Sequence, residues 1–210
     1  MKKTILILFL ITMCSCKNET KKEEYSGPQV VKTNEELKGF VIDTINLSNP
    51  SKWKSKNIRT DSINQVDGIS VLSRIETNNS SYIMTNVTSM VKEGNYRVTL
   101  VAKRNSNSFL GLRITGIYPN RADAIFNLEQ GKVLGTSSIG DFWDEKATIE
   151  IIDDNWYKCI LTSEVISDKI GILFGPTISE SRVTHWESGI TIDNDVTINI
   201  NSVLLEEISF

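Results

Sequence analysis

The sequence is poor in the residues that hold metal ions or build disulfide frameworks. Its 210 residues include 3 Cys and 1 His. A structural zinc site takes about four Cys or His ligands, and a disulfide framework takes several Cys pairs. The composition therefore predicts neither kind of stabilising centre.

Positive charge and common catalytic motifs are scarce as well. The 23 Lys and Arg residues do not outnumber the 26 Asp and Glu residues, and the formal net charge is −3. Nucleic-acid-binding domains normally carry a basic excess, so nucleic acid is not an expected partner. The sequence also contains no G-x-S-x-G elbow, no H-E-x-x-H motif and no P-loop. The remaining roles are binding or catalysis by oxygen-bearing side chains, ligand stacking on aromatic rings, and structural scaffolding.

The N-terminus has the pattern of an export signal. Lys2 and Lys3 precede an apolar run at residues 5–11, which is far shorter than the roughly 20 residues needed to span a bilayer. The Ser15-Cys16 pair that follows resembles a bacterial lipobox, which implies that Cys16 is diacylated, for example with palmitate, and becomes the new N-terminus. An ordinary secretory peptide with incidental cysteines is the alternative.

The composition then divides the chain into three parts. Residues 1–15 are predicted to be a lipoprotein signal peptide, 16–34 the lipidated Cys and a charged linker, and 35–210 a folded domain. Buried acyl chains contribute about 0.8 kcal/mol per methylene, so two or three chains hold a protein on a membrane. We therefore expect a lipid anchor in the outer membrane, facing either the periplasm or the cell surface.

The folded domain is predicted to consist of about ten β-strands. Runs rich in Val, Ile, Thr, Phe and Tyr alternate with clusters of Asn, Asp, Gly and Ser, as in an all-β sandwich. A hairpin is predicted to join 82–91 to 95–104 through a turn containing Gly94. The expected strands are 35–47, 69–76, 82–91, 95–104, 108–116, 122–128, 147–152, 156–163, 169–175 and 196–208, with a bulge at Asn201-Ser202.

Alternation predicts which face of each strand is buried. Tyr96, Val98, Leu100 and Ala102 share one face of a strand, and Leu110, Leu112 and Ile114 share one face of the next. These faces are expected to form the core. Lys103 and Arg113 would then project together from the outer face of two adjacent strands.

Several segments resemble jelly-roll carbohydrate-binding-module-like domains of the galactose-binding type. The segments are Ala124-Ile125-Phe126-Asn127-Leu128-Glu129-Gln130-Gly131-Lys132-Val133, Ala147-Thr148-Ile149-Glu150 and Asn155-Trp156-Tyr157-Lys158-Cys159, together with residues 93–103 and 203–207. They are similar to the family's "F-D-L-x-T-G-x-V", "A-x-I", "G-W-Y-R-C", "A-G-x-Y-T-F-S-V-Y-V-K" and terminal "A-Q-L-E". The resemblance implies an all-β jelly-roll β-sandwich of two antiparallel sheets that binds glycan without transforming it.

Sugar recognition needs an exposed aromatic ring beside polar side chains, because a pyranose has an apolar face of C–H bonds and a rim of hydroxyls. Trp53 and Trp186 lie in polar surroundings, and Tyr118 is a further candidate platform. Lys103 and Arg113 would suit an acidic glycan. The alternatives are that Trp53 plugs the end of the sandwich and that the two cations belong to a solvated face. The predicted ligand-binding residues are Trp53, Lys103, Arg113, Tyr118 and Trp186.

Other functions are weaker alternatives. One alternative is a structural or adhesion module that contacts a protein. Another is a polysaccharide-cleaving enzyme that uses Asp123, Asp141, Asp144 or Glu145. No catalytic residue and no cofactor is assigned. A structural calcium would draw on Asp43, Asp193, Asp195 and Glu207. Cys159 is expected to be a small buried apolar residue, and His185 is expected to hydrogen bond within a loop.

Overall fold

A computed structural model describes residues 40–47, 52–61, 68–75, 79–88, 93–188 and 195–209. Within these residues the structure is almost entirely β, with one three-residue 3-10 helix at Val183–His185. The strands are β1 Phe40–Asn46, β2 Lys54–Lys56, β3 Ile58–Asp61, β4 Ile69–Arg74, β5 Tyr82–Thr88, β6 Glu93–Lys103, β7 Phe109–Thr115, β8 Arg121–Asn127, β9 Lys132–Ile139, β10 Phe142–Ile151, β11 Trp156–Ile166, β12 Lys169–Thr177 and β13 Val196–Ser209.

The strands form two antiparallel sheets. The seven-stranded sheet has the order β10-β11-β6-β13-β4-β3, with β1 also paired to β13, and the six-stranded sheet has the order β2-β5-β12-β7-β8-β9. Consecutive strands such as β5 and β6 lie in different sheets, so the chain crosses repeatedly between the two layers. This arrangement confirms the predicted all-β jelly-roll β-sandwich.

The core lies between the sheets and follows the predicted alternation. Tyr96, Val98, Leu100 and Ala102 of β6 are fully buried, as are Leu110, Leu112 and Ile114 of β7. Side chains of both sheets meet in one buried cluster. This cluster stabilises the sandwich, because apolar burial contributes about 25 cal/mol per Å². Cys159 belongs to it, as predicted, and burial raises the pKa of its thiol.

The six-stranded sheet is covered on its outer face as well. Every residue of β8 is buried, which a strand with one solvated face would not show. The cover is a second apolar cluster of Ile125, Leu173 and Trp186, which Val183 joins at its edge. The segment of residues 178–188 thus forms a partial third layer over this sheet.

Several predictions about the strands were wrong. The strands on either side of Gly94 do not form a hairpin, because β5 pairs with β2 and β12 while β6 pairs with β11 and β13. The short strands β2 and β3 and the longer β9 were missed, and β10 begins five residues before the predicted position at 147. The bulge in β13 is confirmed by a register shift between Asn199 and Leu204.

The predicted signal peptide, Cys16 and the whole of the charged linker lie outside the described residues, so they stay predictions. Among the residues that the structure describes, no helix has the length and apolar character needed to cross a membrane.

Candidate functional site

Trp186 is buried, contrary to the expectation of an exposed platform. Its side chain is 0% exposed, and its Nε1 donates to Asp123 Oδ1 at 2.9 Å. The ring lies on the outer face of the six-stranded sheet directly over Gly111, where a Cβ atom would overlap it, and 3.7 Å from the Cβ position of Gly175. Gly111 of β7 and Gly175 of β12 are paired and carry no side chains, which leaves room for the indole. Trp186 therefore presents no ring to a ligand in this structure.

Arg113 is also buried, within a cluster of charges beneath the same segment. Its Nε donates to Asp123 Oδ1 at 2.6 Å, and its Nη2 donates to Glu187 Oε2 at 2.8 Å and to the Thr184 carbonyl at 2.9 Å. Its guanidinium carbon lies 5.6 Å from the Trp186 ring centroid. These contacts clamp the covering segment onto β7 and β8, since a buried guanidinium needs charged partners. The predicted role of Arg113 in holding an acidic glycan does not fit this placement.

The pKa values of Asp123 and Arg113 in this cluster are both raised, with opposite effects on charge. The shift disfavours the charged form of Asp123 and favours the charged form of Arg113. Burial raises the pKa of Asp123 to about 6, although Arg113 and Arg121 pull it down. Burial alone would lower the pKa of Arg113, but the carboxylates of Asp123 and Glu187 more than reverse this, so its pKa is raised. Arg113 is therefore a permanent cation, and Asp123 is mainly ionised at neutral pH.

Lys103 lies far from Arg113 in the topology. Lys103 ends β6 in the seven-stranded sheet, where it sits opposite Trp156 of β11, whereas Arg113 lies in β7 of the six-stranded sheet. The expectation that the two cations project from adjacent strands is wrong, because β6 and β7 do not pair.

Trp53 takes the structural role that was its alternative. Its Nε1 donates to the Leu47 carbonyl at 2.9 Å, and its ring packs edge-on against Phe174 with centroids 5.0 Å apart. The side chain is half-buried against the main core. Trp53 therefore helps to close the sandwich, and the ring has little free face for stacking.

Tyr118 is the predicted aromatic that the structure exposes. Its side chain is 85% exposed at the tip of the β7–β8 loop. The loop is a tight turn in which Asn120 N donates to the Ile117 carbonyl at 3.0 Å and Gly116 N donates to the Asn120 carbonyl at 2.9 Å. The peptide bond from Tyr118 to Pro119 is cis. The Arg121 guanidinium carbon lies 5.8 Å from the ring centroid. Most of the ring nevertheless remains in solvent.

The same loop forms one wall of a cleft of about 490 Å³. This volume lies within the range of about 300 to 1,000 Å³ that is typical of small-ligand sites. The cleft opens at the end of the sandwich where the β7–β8, β9–β10 and β11–β12 loops meet. Its lining residues are Ile117, Asn120, Asp141, Ile166, Ser167, Asp168 and Lys169.

Hydrogen bonds between the loops hold the cleft together. Asn120 Nδ2 donates to Asp141 Oδ2 at 2.8 Å, and Ile166 N donates to the Asp141 carbonyl at 3.0 Å. Ser167 Oγ donates to the Lys169 carbonyl at 2.6 Å. Gly140, with a φ of 72°, passes close to the Asn120 amide, where a side chain would clash. All three loops are thus tied to one another, and the Asn120, Asp141 and Ser167 side chains are held by these bonds.

Sequence reasoning found Tyr118 but missed most of this cleft. Asn120, Ser167, Asp168 and Lys169 were not singled out, and Asp141 was considered only as a catalytic carboxylate. The three loops are separated by more than twenty residues along the chain, and only the strand order brings them to one end. The Tyr118-Pro119-Asn120 sequence between two strands, which indicates a turn, was the available signal.

The carboxylates named as catalytic candidates are not gathered around this cleft. Asp123 is sealed beneath Trp186, Asp144 pairs with Lys146 at 3.2 Å, and Glu145 accepts a 2.6 Å hydrogen bond from Ser138. Asp141 alone of the four lines the cleft. The arrangement does not place two of them across a groove, as glycoside hydrolysis would require.

The four proposed calcium ligands do not all lie together: Asp43 is opposite Glu207 in the β1–β13 register, but Asp195 is at the far end of β13 from Glu207. Asp195 precedes β13 and Glu207 lies near its other end, so about 40 Å of strand separates them at roughly 3.3 Å per residue. Asp193 lies outside the described residues. Among the described residues, no group of three or more His, Cys, Asp and Glu side chains is placed to hold a metal ion. His185 hydrogen bonds through Nδ1 to the Thr184 hydroxyl at 2.8 Å, which confirms its role within a loop.

Comparisons with known proteins find similarity in structure but not in sequence. No family model and no curated protein matches the chain. BiXyn10A CBM1 in its apo form is similar at a TM-score of 0.40 and 12% identity, with 81% of this chain and 99% of that chain covered. The carbohydrate-binding module CBM6cm-2 from Cellvibrio mixtus lichenase 5A, in complex with cellotriose, gives 0.35 and 13% over 81% and 99%.

A third similar structure is TmCBM27, a carbohydrate-binding module described for specific mannan recognition. It gives a TM-score of 0.34 and 9% identity over 81% of this chain and 98% of that chain. The strand order and pairing of this chain themselves define its jelly-roll fold, and fold alone does not establish function.

Proposed function

We propose that this protein binds carbohydrate without catalysis, through the cleft at the loop end of the sandwich. The observation that carries the proposal is the exposed Tyr118 ring on the loop that also supplies Ile117 and Asn120 to the cleft wall. A pyranose stacks its C–H face on such a ring, while its hydroxyls hydrogen bond to planar polar groups. The Asn120 amide and the Asp141 and Asp168 carboxylates are groups of that kind.

Rigidity of the cleft supports a binding role. Asn120 and Asp141 are already hydrogen bonded to each other, so little side-chain entropy remains to be lost when a sugar binds. The Arg121 guanidinium, 5.8 Å from the Tyr118 ring centroid, adds a cation–π contact to one face of the ring.

A binding role without catalysis is favoured by where the perturbed acid lies. Glycoside hydrolysis uses a carboxylic acid whose pKa is raised toward neutrality. Asp123 has such a pKa, about 6, but its carboxylate is buried beneath Trp186 and paired with Arg113. A glycan in the loop-end cleft has no access to it.

A protein-contacting role is the second candidate, and one observation favours it. Ile117 is 73% exposed beside Tyr118, which gives the loop an apolar tip. Such a tip also suits a protein partner. The structural or adhesion reading therefore predicts that Ile117 and Tyr118 matter to partner binding while no glycan is retained.

A glycan array with the full chain, purified in mild detergent, tests the proposal. We expect retention on at least one glycan class and about tenfold weaker binding for Tyr118→Ala, equivalent to about 1.4 kcal/mol. Ile151→Ala is the matched control, because Ile151 is 75% exposed at the opposite end of the sandwich. A folded protein that binds no glycan on the array would refute the carbohydrate proposal.

The location of the protein is a separate proposal. The charged residues Lys2 and Lys3, the short apolar run and the Ser15-Cys16 pair support a lipid-anchored protein of the outer membrane. The long charged tether between Cys16 and the sandwich would keep the cleft away from the lipid surface.

A further inference from the structure

The charge of the cleft points to the class of glycan that it accepts. Its lining contains two carboxylates, Asp141 and Asp168, and one ammonium group, Lys169. The lining therefore carries a net charge of −1. The remaining lining side chains, which include Asn120 and Ser167, are neutral.

The nearby arginines do not offset this charge. Arg113 is 6% exposed and Arg121 is 5% exposed. Arg113 forms ion pairs with Asp123 at 2.6 Å and Glu187 at 2.8 Å. Arg121 lies 3.4 Å from Asp123 Oδ2 and donates to the Pro119 carbonyl at 3.3 Å. The Arg113 guanidinium is thus committed to Asp123 and the covering segment, and the Arg121 guanidinium to Asp123, the Pro119 carbonyl and the Tyr118 ring.

We propose that the cleft selects glycans made of neutral or amino sugars and discriminates against glycans that carry uronic acids. The inference rests on the proposed function. A uronate carboxylate in the cleft would approach Asp141 and Asp168, and Lys169 is the single lining cation that could pair with it. An amino sugar would instead bring a cation to those carboxylates, and a neutral sugar would hydrogen bond to them.

Asp141 and Asp168 are not equivalent in this selection. Asp141 Oδ2 already accepts a hydrogen bond from Asn120, so its charge also maintains the cleft wall. Asp168 lies in the two-residue β11–β12 turn, directly before β12, and is exposed. Asp168 is therefore the position where charge can be removed with least effect on the fold.

The test uses the full chain on an array that contains three matched sets of β-1,4-linked and α-1,4-linked oligosaccharides. The sets are neutral hexose oligomers, the corresponding 6-carboxyl uronic-acid oligomers and the corresponding 2-amino oligomers. In low salt we expect uronic-acid oligomers to bind about three- to tenfold more weakly than neutral oligomers of the same linkage. In 1 M NaCl, where the screening length is about 3 Å, the difference should fall below about twofold.

Two charge variants should move this ratio in opposite directions. Asp168→Asn should narrow the discrimination against uronic-acid oligomers, and Lys169→Gln should widen it. Asp154→Asn is the matched control, since Asp154 is exposed in the β10–β11 hairpin, about 30 Å along the ten-residue β10 from the cleft. The control should leave the ratio unchanged.

The outcomes separate this inference from the proposed function. Binding that is strongest to uronic-acid oligomers, or a ratio that does not respond to Asp168→Asn and Lys169→Gln, would overturn the charge selection while carbohydrate binding stands. Failure of the folded protein to bind these three sets or any glycan on the wider array would overturn both.

Discussion

The strongest structural prediction concerns Trp186, which sequence patterning places on the surface and the structure places inside. Trp186→Ala should destabilise the sandwich severely. The indole is fully buried on the outer face of the six-stranded sheet, fills the space above Gly111 and Gly175 and donates its N–H to Asp123. The substitution removes all of these contacts at once.

The expected loss follows from two contributions. Replacement of a buried Trp by Ala typically costs about 3–5 kcal/mol, because the transferred apolar surface is lost and a cavity remains. Asp123 also loses a hydrogen-bond donor in a buried position, which adds about 1–3 kcal/mol if water does not enter. Natural domains have a free energy of unfolding of about 5–15 kcal/mol, so the variant would lose a large share of it.

Urea denaturation followed by far-ultraviolet circular dichroism measures this loss. Trp186→Phe serves as the matched variant, since it keeps an aromatic ring but deletes the Nε1 donor, and its loss should be intermediate. A decrease of less than about 1 kcal/mol for Trp186→Ala would show that the covering segment does not pack as described. Under our account, any fall in glycan binding by this variant follows from lost structure rather than from a lost sugar contact.

Three further predictions follow from other parts of the molecule. The pKa of Asp123 is raised by burial from 3.8 to about 6, so its contribution to stability is complete below about pH 4 and is lost as the pH rises through 6. In denaturation experiments, the free energy of unfolding of the wild type, relative to that of Asp123→Asn, should therefore fall by up to about 3 kcal/mol between pH 4 and 7. A difference between the two proteins that stays constant over this pH range would contradict the prediction. Gly111→Ala should destabilise the fold by about 1–3 kcal/mol in a thermal or urea melt, because the new methyl group overlaps the Trp186 ring; unchanged stability would argue against that contact. Cys16→Ala should abolish palmitate labelling and release the protein from the membrane fraction, and retention of label would show that another residue is acylated.

The sequence predicts faces of strands better than it predicts their partners. The alternation in β6 and β7 correctly marks Tyr96, Val98, Leu110 and Leu112 as core, because period-two burial is a local property of a strand. Pairing depends on contacts distant in the chain. Gly94, predicted as part of a hairpin turn, lies within β6 opposite Val165, and the strand before it belongs to the other sheet. The prediction that Lys103 and Arg113 lie on adjacent strands was wrong for the same reason.

The candidate site shows the same division between local and distant information. Tyr118 could be predicted because it is an aromatic outside the alternating core positions of the neighbouring strands. Trp186 could not, since its polar neighbours indicate a surface loop while its hydrogen-bond partner Asp123 lies 63 residues away. The cleft itself depends on Asn120, Asp141 and Asp168 from three loops, which only the completed strand order brings together.

Hydrogen–deuterium exchange of the full chain, with and without a saturating oligosaccharide chosen from the array, tests the position of the site most directly. We expect slowed exchange in the loops that contain residues 117–120, 140–141 and 166–169, with the β10–β11 hairpin unaffected. Protection confined to the outer face of the seven-stranded sheet, or to the segment that carries Trp186, would contradict binding at the loop-end cleft beside Tyr118.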